Sequence, residues 1–322
     1  MPVIKSSPLV LVYRIDAGES RLLLKAYFHH ADDPRDRLGT EFSFSQFAWD
    51  CGLRCIPQPL ARDDRNHLGL YEFIRGRALS ANEIGRGEVD QAIAFFDGLN
   101  RHKAAPDAQR LPHGSEACFT LAEHLACVER RVVRLEQLEA DPPLGQAASE
   151  LVRQQLHPAW QRVQAQVVHQ AAALGLAMDA PLSDQDRCLS PSDFGYHNTI
   201  LAEDGRLRFV DFEYAGWDDP AKTVCDFLCQ PKLPLPQEFA EECTNAVISG
   251  LSDPQMHARR ISLLLSVYRL KWCCIMLNEF LPVGHQRRSF AHDATAQDTA
   301  GQEARKQLQI EKVRHALQRI EI

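Results

Sequence analysis

The sequence predicts an α+β protein of two lobes, a small strand-rich one over residues 1–75 and a large helical one over residues 76–322. Three observations carry this. Apolar and β-branched runs crowd the first quarter of the chain. After Gly76, apolar residues recur at helical spacing instead. Strand signals then return only at residues 199–202 and 206–211.

In the first quarter, LVLVYRI at 9–15 and RLLLKAY at 21–27 flank the turn DAGE at 16–19, which predicts a hairpin. Residues 33–36 contain a proline and read as a loop. Residues 37–49 follow as a helix with Phe42, Phe44, Phe47 and Ala48 on its apolar side. LGLYEFI at 68–74 is a further strand, ended by Arg75-Gly76-Arg77.

Beyond it, Val89, Ile93, Phe96 and Leu99 mark a helix over 88–103. A longer amphipathic helix spans 116–138. Residues 145–176 form two helices divided at Pro158, because proline lacks the N–H that a helix interior needs. Further helices are expected at 236–250, 254–281 and 301–320, with a polar loop over 282–299.

Composition narrows the function. The chain has 322 residues, 45% of them hydrophobic and 25% charged, with a net charge of −7. No basic stripe suggests a nucleic-acid partner. The most apolar stretch, 261–281, contains Arg269, Lys271 and Glu279, so a core helix is expected and no membrane span. No secretion signal is read at the start. Ten cysteines include no Cys-x-x-Cys; Cys51/Cys55 and Cys225/Cys229 are i, i+4 pairs that suit small core residues better than zinc. A reduced cytoplasmic protein fits this usage.

The chemistry concentrates in SPSDFGYHNTILAEDGRLRFVDFE at 190–213. Asp193 and Asn198 lie five residues apart. A strand, the turn Glu203-Asp204-Gly205 and a second strand follow, ending at Asp211. A hairpin folds its ends together, so Asn198 and Asp211 meet, with Asp193 a loop away. An amide oxygen and a carboxylate at one spot suit Mg²⁺, which takes few protein ligands and shares the rest with phosphates and water. Asp193 is placed to accept a hydroxyl proton. Taken singly, these residues could be a cap, a loop amide and a strand end; their joint spacing points to phosphoryl transfer.

Asp-x4-Asn, a hairpin and Asp-Phe-x is the protein-kinase catalytic pattern. The following Gly216-Trp217-Asp218-Asp219-Pro220 and Asp226 resemble the aminoglycoside phosphotransferase and choline kinase family. The resemblance covers most of the chain and implies a protein-kinase-like fold, with ATP and Mg²⁺ as cofactors and a hydroxylated small molecule as acceptor. It implies that Lys25, charged within an apolar strand, holds the α- and β-phosphates, and that Glu41 on the next helix holds Lys25. Glu19 is a second acidic candidate for that partner, and Lys25 could instead face solvent on an edge strand. It further implies a hinge at Tyr71-Glu72-Phe73-Ile74, where the backbone of Glu72 and Ile74 would meet adenine.

The chain departs from the family at two places. The usual His-Gly-Asp of the catalytic loop is Pro191-Ser192-Asp193, and His197, beside Asn198, reads as a structural or substrate-touching histidine. Only MPVIKSSP precedes the strand at 9–15, without glycine. A first strand that is absent or very short is therefore expected, with the sheet opening at 9–15 on an exposed edge and an incomplete phosphate lid. Weak ATP binding, or a start upstream of Met1, would follow. The alternatives are a catalytically weak kinase-like binding or regulatory protein, and an enzyme that transfers the nucleotidyl group.

Overall fold

Strand β2 (Val10–Ala17) and strand β3 (Ser20–Tyr27) pair along their whole length, from Val10 opposite Tyr27 to Ala17 opposite Ser20. Gly18 turns the chain between them at φ 63°, a left-handed conformation that glycine adopts without steric cost. The computed structural model describes residues 3–6, 10–18, 20–29, 35–138, 143–281 and 299–320. Glu19 and the loops expected at 33–36 and 282–299 fall wholly or largely outside them.

Three more strands complete an antiparallel sheet in the order β1-β2-β3-β5-β4. They are β1 (Val3–Ser6), β4 (Pro59–Asp63) and β5 (Leu68–Glu72). The expected opening of the sheet is corrected here. A four-residue β1 pairs with β2 and takes the edge, so the segment at 9–15 lies one strand inside it. β4 escaped the sequence reading because only Pro59 of its five residues is buried. Val10, Val12 and Tyr27 form an apolar cluster with Leu38 from helix α1 (Arg37–Asp50). Asp36 caps α1 by accepting from the N–H of Gly39 at 2.8 Å.

Residues 75–77 do more than end a strand. β6 (Gly76–Arg77) pairs with β8 (Thr199–Ala202), which pairs in turn with β9 (Leu207–Phe209). At Gly76 the backbones approach so closely that a Cβ would lie 2.3 Å from the carbonyl oxygen of Leu201. β7 (Cys188–Ser190) and β10 (Gly216–Asp218) form a separate antiparallel pair.

The chain divides into two compact units, Met1–Ala117 with Ser183–Ala258, and Cys118–Leu182 with Arg259–Ile322. The first contains the sheets, α1, α2 (Arg86–Asn100), α6 (Pro220–Cys229) and α7 (Ala240–Ile248). Beneath the catalytic segment, Phe95 of α2 stacks on Phe209 at 4.6 Å and meets Phe194 and Phe212 near 6 Å.

The second unit is helical. α3 (Leu121–Arg134) opens with a capping box of Thr120 and Glu123. Pro158 does not split the next run. α4 (Leu144–Leu151) passes through a π-helical turn at Val152–Leu156 directly into α5 (His157–Ala173). The wider turn absorbs the missing N–H, and the proline itself sits at the start of α5 where no donor is required. α9 (Thr299–Gln318) packs on α4. Helix α8 (Pro254–Met276) with the short turn after it is long and apolar enough to cross a membrane, yet 61% of its most apolar window is buried inside the protein. That burial, with Lys271 also inside, is the signature of a core helix.

Phe95 is 1% exposed and touches three other rings, so Phe95→Ala leaves a cavity under the catalytic segment. A loss of about 3–5 kcal/mol in unfolding free energy is expected in denaturant titrations.

Candidate active site

Residues two apart on a strand share a face, so β3 presents Lys25 and Tyr27 together toward α1. Lys25 is 6% exposed, and Glu41 of α1 is also buried. Lys25 Nζ donates to Glu41 Oε1 at 2.6 Å and to Asp211 Oδ1 at 2.6 Å. Burial disfavours the ammonium, but Asp211 and then Glu41 outweigh it and hold the Lys25 pKa above that of a free lysine. Glu41 is therefore the partner of Lys25, and Lys25 does not face solvent.

Asp211 follows β9 with φ 67°, a left-handed conformation uncommon outside glycine but tolerated by aspartate. Its side chain stays 25% exposed, so oxygen remains accessible beside the lysine. Two residues on, Glu213 Oε2 lies 3.6 Å from Arg37 Nε. Burial pushes the Glu213 carboxyl up to about 7; Glu41 and Asp211 add to this, and Lys25 and Arg37 oppose it.

The segment that carries Asp193 sits between β7 and β8. A short 3-10 turn, Tyr196–Asn198, ends it. Asn198 Nδ2 donates to the Asp193 carbonyl at 3.0 Å and to Asp193 Oδ2 at 3.1 Å. His197 Nε2 lies 3.2 Å from Asp193 Oδ1. With its nitrogen engaged by Asp193, the Asn198 amide directs its oxygen elsewhere. The hairpin closes as its spacing predicts, since the Val210 N–H donates to the Asn198 carbonyl at 3.0 Å.

The departure at 191–192 has a local remedy. Ser192 stands at φ 66°, in the left-handed region that favours glycine. Its N–H donates to Ser190 Oγ at 3.0 Å, and Thr223 Oγ1 of α6 donates to the same Oγ at 2.9 Å. Two hydroxyls thus hold the bend that leads into Asp193. α6 is anchored by the buried ion pair of Lys222 Nζ with Asp218 Oδ2 at 2.6 Å, with Asp226 Oδ2 at 3.6 Å. Asp219 caps it, accepting from the Ala221 N–H at 2.7 Å.

At the proposed hinge, the Glu72 N–H donates to the Gln58 carbonyl at 2.9 Å. Ile74 follows β5 in irregular backbone, and among the described residues its N–H is engaged by no backbone carbonyl.

The sequence matches no family model, and no curated protein matches it. Solved structures do. A choline/ethanolamine kinase family protein from Mesorhizobium loti superposes with a TM-score of 0.55 at 18% identity, covering 98% of this chain and 91% of that one. Spectinomycin phosphotransferase APH(9)-Ia, in complex with ADP and spectinomycin, gives 0.59 at 11% identity, covering 99% and 92%. Choline kinase LicA from Streptococcus pneumoniae gives 0.55 at 14% identity, covering 94% and 90%. The chain shares their fold. The protein-kinase-like architecture expected from Asp193, Asn198 and Asp211 is the one the chain adopts.

Within this kinase-like fold, Lys25, Glu41 and Asp211 are joined directly, Asp193 and Asn198 are joined directly, and the hairpin links the two groups. The sequence reading missed Tyr27, Tyr71, Arg37, Glu213 and the Ser190–Thr223 pair. Only Tyr27 carried a legible signal, its place two residues after Lys25 on the same strand face.

Ser192 tests the bend. Ser192→Gly is expected to hold stability within about 1 kcal/mol, because glycine accepts this φ freely. Ser192→Val, β-branched at positive φ, is expected to lose about 1–3 kcal/mol. Chemical denaturation of the two variants checks both.

Proposed function

We propose that this protein transfers the γ-phosphoryl group of ATP to a hydroxyl of a small molecule. The observation that carries the reading is one buried lysine held at 2.6 Å by both a helix carboxylate and the carboxylate that ends the catalytic hairpin. Residues 1–75 would form the nucleotide lobe, and residues 76–322 would supply the catalytic loop and the acceptor site.

Lys25 would bind the α- and β-phosphates, with Glu41 fixing its ammonium. The Glu72 carbonyl and Ile74 N–H would take the adenine edge. The Asp193 carboxylate is met by His197 at one oxygen and by Asn198 at the other, while its side chain remains 38% exposed. Those bonds aim it, and its half-exposed carboxylate would accept the acceptor proton. The acceptor oxygen then bonds to the γ-phosphorus as the bond to the β–γ bridging oxygen breaks, releasing ADP.

The donor set fits Mg²⁺. The Asn198 amide oxygen and the accessible Asp211 carboxylate are hard oxygen ligands, few in number as this ion prefers, and they belong to a hairpin closed by the Val210–Asn198 hydrogen bond. When bound, the ion would neutralise phosphate charge.

The kinase-like neighbours supply the substrate class. One is described as binding ADP and spectinomycin, and others as choline or ethanolamine kinases. We extend to this chain only the common element, a polar molecule bearing a hydroxyl.

A screen of hydroxylated metabolites for ADP release by the purified chain tests the reading. Nucleotide binding without release to any acceptor would favour the non-transferring alternative, and an adenylated product would favour nucleotidyl transfer. Asp193→Asn is expected to lower turnover roughly a hundredfold or more while ATP affinity is kept. Asp211→Ala is expected to weaken Mg²⁺-dependent nucleotide binding in calorimetry, and Asn198→Ala to do so more mildly. Lys25→Met is expected to reduce ADP release; wild-type turnover in that variant would place the phosphate clamp elsewhere.

A further inference from the structure

Behind the Lys25–Glu41 pair lie two tyrosine hydroxyls that packing alone does not call for. Tyr27 shares the strand face of Lys25. Tyr71 precedes Glu72 on β5. Both are buried. Tyr27 OH donates to Glu41 Oε2 at 2.7 Å, and the two hydroxyl oxygens lie 2.9 Å apart.

The direction of this chain follows from proton counting. An ionised carboxylate only accepts, so the single Tyr27 proton goes to Glu41. The Tyr71 proton must then go to the Tyr27 oxygen. The donors run from Tyr71 to Tyr27 to Glu41, and each bond polarises the next. Burial raises the pKa of both phenols, with Glu41 adding to it, so both stay protonated as donors. Gly69 admits the Tyr71 ring: a Cβ there would lie 2.7 Å from Tyr71 Cε2.

Lys25 is shared by two competing carboxylates at equal distance. If Glu41 is loosely held, the ammonium moves toward Asp211 and covers the oxygen that a metal would use. Tyr27 occupies Glu41 Oε2 and turns Oε1 to Lys25, and Tyr71 fixes Tyr27. We infer that Tyr27 and Tyr71 are positioning residues, which anchor Glu41 so that Lys25 stays shared between Glu41 and Asp211 instead of moving wholly onto the carboxylate that Mg²⁺ would use, and which join this clamp to the segment beside adenine. This rests on the phosphotransfer reading above.

The test uses wild type, Tyr27→Phe, Tyr71→Phe, Lys25→Met and the Tyr27→Phe/Lys25→Met double variant. ADP release and Mg·ADP affinity are measured across a Mg²⁺ titration, with thermal unfolding alongside. Tyr27→Phe keeps the ring and is expected to raise the half-saturating Mg²⁺ concentration about tenfold, the usual effect of losing an outer partner of a metal site. Tyr71→Phe, which leaves the Tyr27–Glu41 bond in place, is expected to shift it less in the same direction. In the Lys25→Met background, Tyr27→Phe is expected to change Mg·ADP affinity no further. An unchanged Mg²⁺ requirement in both single variants overturns the inference, as does an equal loss with and without Lys25. Should Tyr27→Phe fail to fold, Tyr71→Phe decides by the same readout. A wild type that neither binds Mg·ADP nor releases ADP overturns the phosphotransfer reading itself, and the inference falls with it.

Discussion

One buried cation organises the candidate site. Lys25 sits within 2.6 Å of Glu41, sixteen residues on, and of Asp211, 186 residues on. Two carboxylates brought this close would repel each other in a poorly hydrated setting, and an isolated ammonium would shed its proton there. Each group is tolerable only in the presence of the others. Removing one member of such a pair typically costs about 3–5 kcal/mol, because the remainder stays buried and uncompensated. The pairing of β3 with β5, the capping of α1 and the closure of the β8–β9 hairpin all set where these three groups lie.

The catalytic loop shows a different economy of means. At Pro191-Ser192 the loop keeps its bend through neutral hydroxyls from Ser190 and Thr223. The aromatic group of Phe95, Phe194, Phe209 and Phe212 then supports the segment from below. The direct supports of the bend are neutral hydroxyls and aromatic rings, and the buried charges of Lys222, Asp218 and Asp226 lie one layer further back, on α6 and at its start.

Much of this was legible in the chain itself. The spacing of Asp193, Asn198 and Asp211 around a turn fixed both the hairpin and the fold class, because a hairpin can return its ends to only one place. Lys25 stood out as a charge in an apolar run. What escaped notice did so for physical reasons. β1 and β4 are edge strands, and β4 lacks the alternating burial that reveals a strand. β6, β7 and β10 are two or three residues long, below any periodic signal. Pro158 read as a break because sequence shows the lost N–H and not the π turn that accommodates it. The Tyr27–Tyr71 hydroxyl pair joins strands forty-four residues apart, and nothing local announces such a partner.

The left-handed backbone at Asp211 carries an energetic cost. For a non-glycine residue this conformation lies roughly 1–2 kcal/mol above the ordinary ones, so the end of the hairpin is held in a raised state by the pull of Lys25. At Asp211 the fold thus spends backbone energy to keep a carboxylate beside a cation.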